Sequence, residues 1–185
     1  AEIARKRGNL AATIRYYSAL AKAVPDRAVA FSKLCAAYQD NHEPRSAIEA
    51  CRKALGLEGV KVDDYSRFVD LLLARKGPPT EEELTEIDEV IRHLRGQLTD
   101  GKAAAHVECK LALRMRDEAR MRHCTQHLGE VAPNEPQTIS FQWAYAIMRG
   151  DIESARAHIR SAREAELGAD MIKDMEEATE RSVPI

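Results

Sequence analysis

Thr13-Ile14-xx-Tyr17-xx-Leu20-Ala21-xxx-Pro25 returns 34 residues later as Ala47-Ile48-xx-Cys51-xx-Ala54-Leu55-xxx-Gly59. A second half-motif, Phe31-xx-Leu34-Cys35-xx-Tyr38, returns at the same interval as Tyr65-xx-Phe68-Val69-xx-Leu72. The conserved spacing carries packing residues and no chemistry. Apolar positions three and four apart share one helix face, and a period near 34 built from such faces predicts stacked helical hairpins.

Outward from this stretch the same pattern recurs with variation. A helix is expected from about Leu10 to Val24 and another over 27–39. A turn follows at Asp40 to Pro44, then a helix over 45–57 whose first turn suits Pro44, since its missing N–H has no partner to lose there. Tyr65, Phe68, Val69 and Leu72 keep the register, which breaks at Lys76-Gly77-Pro78-Pro79. Thr80 and Glu83 have the spacing of a capping box. They open a helix with Leu84, Ile87, Ile91, Leu94 and Leu98 on one stripe, ending at Thr99-Asp100-Gly101.

The fourth hairpin reads weakly, with Ala104, Val107, Leu111 and Met115 before a turn at Arg116-Asp117, then Met121, Leu128 and Val131. The fifth is stronger, with Trp143, Ala144 and Ile147 before Gly150-Asp151 and Ala155, Ile159 and Ala162 after it. The expected fold is therefore all-α, an α-solenoid of about five antiparallel helix-turn-helix hairpins. Its units run over about 1–26, 27–60, 61–100, 101–134 and 135–167, with an acidic capping helix over 168–182 whose polar side faces outward. The register places residues 1–7 at the end of a helix broken at Gly8-Asn9, so the sequence reads as part of a longer protein.

Composition narrows the function. The net charge is −2, from 28 Lys and Arg against 30 Asp and Glu. Read over the whole chain, that balance gives no field to gather nucleic acid, and Arg5-Lys6-Arg7 reads as a solvated helix end. No stretch approaches the ~20 apolar residues of a membrane-spanning helix. Cys35, Cys51, Cys109 and Cys124 stand at small or apolar positions of the repeat, outside any Cys-x-x-Cys pair. They read as buried free thiols in a reducing, cytoplasmic compartment.

With Phe31, Leu34, Tyr38, Ala47, Ala54, Pro25 and Pro133 at their offsets, residues 1–167 resemble the tetratricopeptide repeat family. Glycine at the tight turn is met by Gly8 and Gly150 and not by His42 or Arg116. The resemblance implies a right-handed superhelix and a concave groove lined by the first helix of each pair. It places Lys33, Gln39, Asp40, Arg67, Asp70, His106, Lys110, Arg114, Phe141, Tyr145 and Arg149 on that lining. Such a lining implies a protein or peptide partner with acidic and apolar residues, bound without catalysis or cofactor. Ser32 and Ala36 do not supply the carboxylate clamp with which one subtype grips chaperone tails.

Two other functions have residues to argue from. His106, Cys109, Cys124 and His127, with His123, could meet across the fourth hairpin as a zinc site, since residues at i, i+3 and i+4 share a face. This would make the chain a metal-stabilised regulatory module. The array could also be a self-association module of a larger complex. No nucleophile elbow, phosphate loop or His-Glu-x-x-His is present to support an enzyme. Trp143, the only tryptophan, reads as a core residue of the fifth hairpin.

Overall fold

The computed structural model of the chain describes residues 9–97 and 101–182. Ten helices span them: α1 (Leu10–Ala23), α2 (Ala28–Asp40), α3 (Pro44–Leu55), α4 (Val62–Leu73), α5 (Glu81–Gln97), α6 (Lys102–Met115), α7 (Glu118–Val131), α8 (Pro136–Met148), α9 (Ile152–Glu164) and α10 (Ala169–Arg181). The described residues hold no strand, only an isolated bridge between Arg27 and Glu58. The expected helix end before Gly8, Arg5-Lys6-Arg7, Leu98 and the Thr99-Asp100 stop lie outside the described residues.

The contacts gather into two compact units, Ala1–Pro79 and Thr80–Ile185. The division falls at the Lys76-to-Pro79 stretch where the repeat loses its register. In the first unit, α2 packs on α1 and α3, and α3 on α4. The α2–α3 pair is tight because its facing positions are small: Ala28, Ala30, Cys35, Ala47, Cys51 and Ala54 are wholly buried. Small residues let two helix backbones approach while Phe31, Leu34 and Ile48 fill the space beside them. Phe68 and Leu72 of α4 are each 2% exposed, worth roughly 2–3 kcal/mol apiece in apolar burial.

In the second unit, α5 packs on α6, α6 on α7, α7 on α8, α8 on α9 and α9 on α10. Thr80 and Glu83 form the expected reciprocal cap: the Thr80 N–H donates to Glu83 Oε2 at 2.8 Å, and the Glu83 N–H to Thr80 Oγ1 at 3.2 Å. The fourth hairpin, weak as a pattern, is well packed. Ala104, Val107, Cys109, Leu111, Ala112, Met121, Cys124 and Leu128 are at most 1% exposed. Met115 and Val131, expected on its apolar stripe, are instead exposed. Trp143 lies between the clusters around Cys109 and Met175, and its indole N–H donates to Thr179 Oγ1 at 3.0 Å.

Four helices end in one backbone form. The N–H groups of Glu43, Asp117, Asp151 and Leu167 reach back to the carbonyls of Tyr38, Ala112, Ala146 and Ala162 at 2.9–3.0 Å. The residue before each donor sits in the left-handed region: His42 at φ 58°, Arg116 at 55°, Gly150 at 70° and Glu166 at 56°. This is the Schellman arrangement, which glycine adopts without steric cost. At His42 and Arg116 the hairpin needs the same turn that Gly150 makes, and a non-glycine residue adopts it.

The reading of the cysteines as free thiols is corrected. Cys35 of α2 bonds to Cys51 of α3, and Cys109 of α6 to Cys124 of α7, with Cα separations of 5.2 and 5.6 Å. Each bridge joins the two helices of one hairpin. Their positions look small and apolar because a buried disulfide occupies a hairpin interior as two small apolar residues would. The reducing compartment loses its basis with the free thiols, since disulfides persist where the surroundings oxidise.

Candidate functional site

The second unit holds the candidate residues whose neighbours are best defined. His106 of α6 and Phe141 of α8 meet with ring centroids 6.1 Å apart. They stand on the first helices of consecutive hairpins, and those helices pack on each other. Lys110 and Arg114 follow His106 at one-turn intervals along α6, with Lys110 half-buried and Arg114 exposed. Below them Lys102 Nζ pairs with Glu135 Oε1 at 2.7 Å.

The His106 side chain is only 15% exposed, and its Nε2 makes no hydrogen bond; Glu135 Oε2 lies 4.0 Å away. Burial lowers the imidazole pKa below its usual value. The Glu135 carboxylate opposes that shift, and Lys102 and Lys110 add to it. A neutral imidazole nitrogen with no hydrogen bond, beside an aromatic ring and a basic helix face, can accept or donate one hydrogen bond to an arriving group.

Tyr145 and Arg149, expected on the same lining, are turned to another neighbourhood. The Tyr145 hydroxyl accepts a hydrogen bond from Arg122 Nε of α7 at 3.2 Å, and the Arg149 guanidinium lies 5.7 Å from the Tyr145 ring centroid. Together they line a cleft of about 300 Å³ with Gln126 of α7 and Ser154 and His158 of α9. Asp151 caps α9 there: its carboxylate accepts the Ser154 N–H at 3.0 Å, which holds its pKa below the usual value. Burial lowers the His158 pKa, opposed by Asp151. Arg122, Gln126 and His158 stand on second helices of their hairpins, outside the groove lining that the family resemblance implies. Their one signal is a pair of polar residues one turn apart on a second helix, which looks like any solvated face.

In the first unit Lys33, Gln39 and Asp70 are exposed and Asp40 is half-buried. Arg67 is held by Asp64 of its own helix, Nη1 to Oδ1 at 3.4 Å. Ser32 is buried and donates to the Ala28 carbonyl at 3.0 Å.

The zinc arrangement is corrected. Cys109 and Cys124 do lie opposite each other across the hairpin, but bonded to each other, so neither offers a thiolate. His123 Nδ1 lies 3.5 Å from Glu108, which also binds Arg95 Nη2 at 2.7 Å. His127 packs over Gly101, its Nε2 3.0 Å from where a Cβ would stand. Among the described residues no group of three or more His, Cys, Asp or Glu is placed to hold a metal ion. No described helix is long and apolar enough to cross a membrane.

No family model matches the chain, and no curated protein matches it in sequence. Among solved structures it is similar to the crystal structure of MamA, with a TM-score of 0.68 and 19% identity over 88% of this chain and 92% of that one. The likeness is one of fold, and with ten described helices and no described strand the chain has an all-α, tetratricopeptide-like helical-repeat fold.

Proposed function

We propose that the chain is a non-catalytic interaction scaffold that binds a protein or peptide partner on the first-helix face of its hairpins. The observation that carries this reading is the α6–α8 face, where the unbonded His106 Nε2 lies beside Phe141 and below Lys110 and Arg114. An aromatic ring and basic side chains around one unbonded imidazole nitrogen suit a segment with an apolar residue and carboxylates. Lys33, Gln39, Asp40, Arg67 and Asp70 extend the same kind of face in the first unit. Tyr145 and Arg149 contribute through the cleft behind α8. The two disulfides fit an oxidising compartment as the place of action.

A photo-crosslinking phenylalanine analogue at position 141 of the intact protein tests this in lysate of the source cell. A discrete protein adduct that vanishes when Lys110→Glu and Arg114→Glu are added supports the reading. An adduct indifferent to those reversals, or none, overturns it.

A further inference from the structure

The first unit carries a cavity of about 610 Å³ between α3 and the C-terminal end of α4, away from the first-helix residues discussed above. Four of its lining side chains are cationic: Arg45, Arg52, Arg75 and Lys76. Glu49 is its one acid. The floor is apolar, formed by Ile48 and Leu71, which are 8% and 6% exposed. Arg45, Ile48, Glu49 and Arg52 recur at three and four residues, so a single face of α3 presents the cations above that floor.

The second unit carries the complement. On α10, Met175 and Thr179 are buried toward the unit's interior, and Glu176 binds Arg163 of α9. The outward stripe is Asp170, Asp174 and Glu177, all exposed, with Lys173 3.9 Å from Glu177 and the exposed Arg181 one turn beyond it. Beside that stripe Met171 is 51% exposed, an uncommon position for a large apolar side chain on a capping helix. The pattern is an acid-rich stripe that also carries Lys173 and Arg181 beside one apolar knob, against four cations, one acid and an apolar floor.

The whole sequence is polarised in the same sense. Residues 1–79 hold 14 Lys and Arg against 9 Asp and Glu, and residues 80–185 hold 14 against 21. The two halves therefore carry +5 and −7, which the overall charge of −2 conceals. Copies of such a chain attract each other head to tail and repel head to head.

We propose that the α3–α4 cavity receives the outer face of α10 from a second copy of this chain, Met171 resting over Ile48 and Leu71 while Asp170, Asp174 and Glu177 meet the four cations. The two surfaces are different, so the contact is heterologous, and a pair joined by one contact keeps one free surface of each kind. Further copies can then add until a ring closes or the chain of contacts runs on. The ion pairs are exposed and individually weak, so the contact depends steeply on salt.

Sedimentation velocity on the intact, disulfide-bonded protein tests this with two charge-reversed variants. One is Arg45→Glu, Arg75→Glu and Lys76→Glu; the other is Asp170→Lys, Asp174→Lys and Glu177→Lys. The wild type is expected to sediment faster as concentration rises and to lose that dependence in about 1 M salt. Each variant alone should associate at least about tenfold more weakly. An equimolar mixture should associate again, because each cavity then finds an oppositely charged α10. Recovery on mixing also shows that both variants are folded.

A wild type that stays monomeric at every concentration overturns the proposal, and this result needs no variant. So do variants that associate as the wild type does, or folded variants that stay monomeric when mixed. Lys110→Glu with Arg114→Glu should leave self-association unchanged, which separates this contact from the partner-binding face.

Discussion

The Trp143 indole N–H donates to the Thr179 hydroxyl at 3.0 Å, and Thr179 Oγ1 in turn donates to the Met175 carbonyl at 2.7 Å. One hydroxyl thus pins α10 to the side of α8. Thr179→Val keeps the shape and leaves the indole N–H without its acceptor. The expected cost is about 1–2 kcal/mol. Thermal unfolding followed by Trp143 fluorescence measures it, and unchanged stability would show that the bond contributes nothing to holding the capping helix.

The disulfides should be titratable as such. Unfolded without reductant, the protein should show no free thiol, and after reduction it should show four. Removing the Cys109–Cys124 bridge as the double alanine variant should cost about 3 kcal/mol, as expected for releasing a loop of this length in the unfolded chain. Four thiols reacting before reduction would refute the pairing.

Turn strain gives a stabilising prediction. His42 and Arg116 adopt a left-handed conformation at φ 58° and 55°, which costs a side-chain-bearing residue about 1 kcal/mol. His42→Gly or Arg116→Gly should therefore raise stability, by less than that because glycine also loosens the unfolded chain. Gly150→Ala, at φ 70° with no atom within 4 Å of the added Cβ, should lower it by a similar amount through the backbone alone. Chemical denaturation decides the sign in each case.

His106 makes a prediction in pH. Burial disfavours its charged form, so its folded pKa lies below the unfolded value of about 6.5. Above that value both states are neutral and the group adds no pH dependence. As pH falls through about 6.5 the unfolded chain takes the proton first, so stability declines until the folded pKa is passed. Glu135 weakens the effect, and Lys102 and Lys110 strengthen it. His106→Gln should flatten that part of the stability profile, and an NMR titration should place the His106 midpoint below that of a free imidazole. A midpoint at or above 6.5 refutes the buried neutral ring.

The hairpins were legible wherever large and small residues alternate at helical spacing, as in Ala47-Ile48 and Ala54-Leu55. The fourth hairpin looked weak because Ala104, Ala105, Cys109 and Ala112 bury little area each, although close approach of two helices needs residues of that size. The bridges were hidden by their separations of 16 and 15 residues, which are set by hairpin geometry and form no local motif. His42 and Arg116 gave no sign of a left-handed turn, since the surrounding hairpin imposes it.

At the candidate site, the meeting of His106 with Phe141 follows from placing both on first helices. The division of Phe141 from the Tyr145 and Arg149 neighbourhood does not, because α8 packs against both α6 and α7 and a helical period does not say which neighbour a side chain meets. The opposed charges of the two halves were present in the sequence. They become visible only once the division after Pro79 is known.

The two bridges also govern how the chain behaves under mechanical load. A pulling force applied to its ends can straighten the segments between the stapled hairpins, but the turns inside Cys35–Cys51 and Cys109–Cys124 lie off the line of tension. Each bridge withholds roughly 50 Å of contour length at 3.3–3.6 Å per residue. The oxidised chain therefore becomes taut roughly 100 Å short of its full extension, and reduction releases that slack.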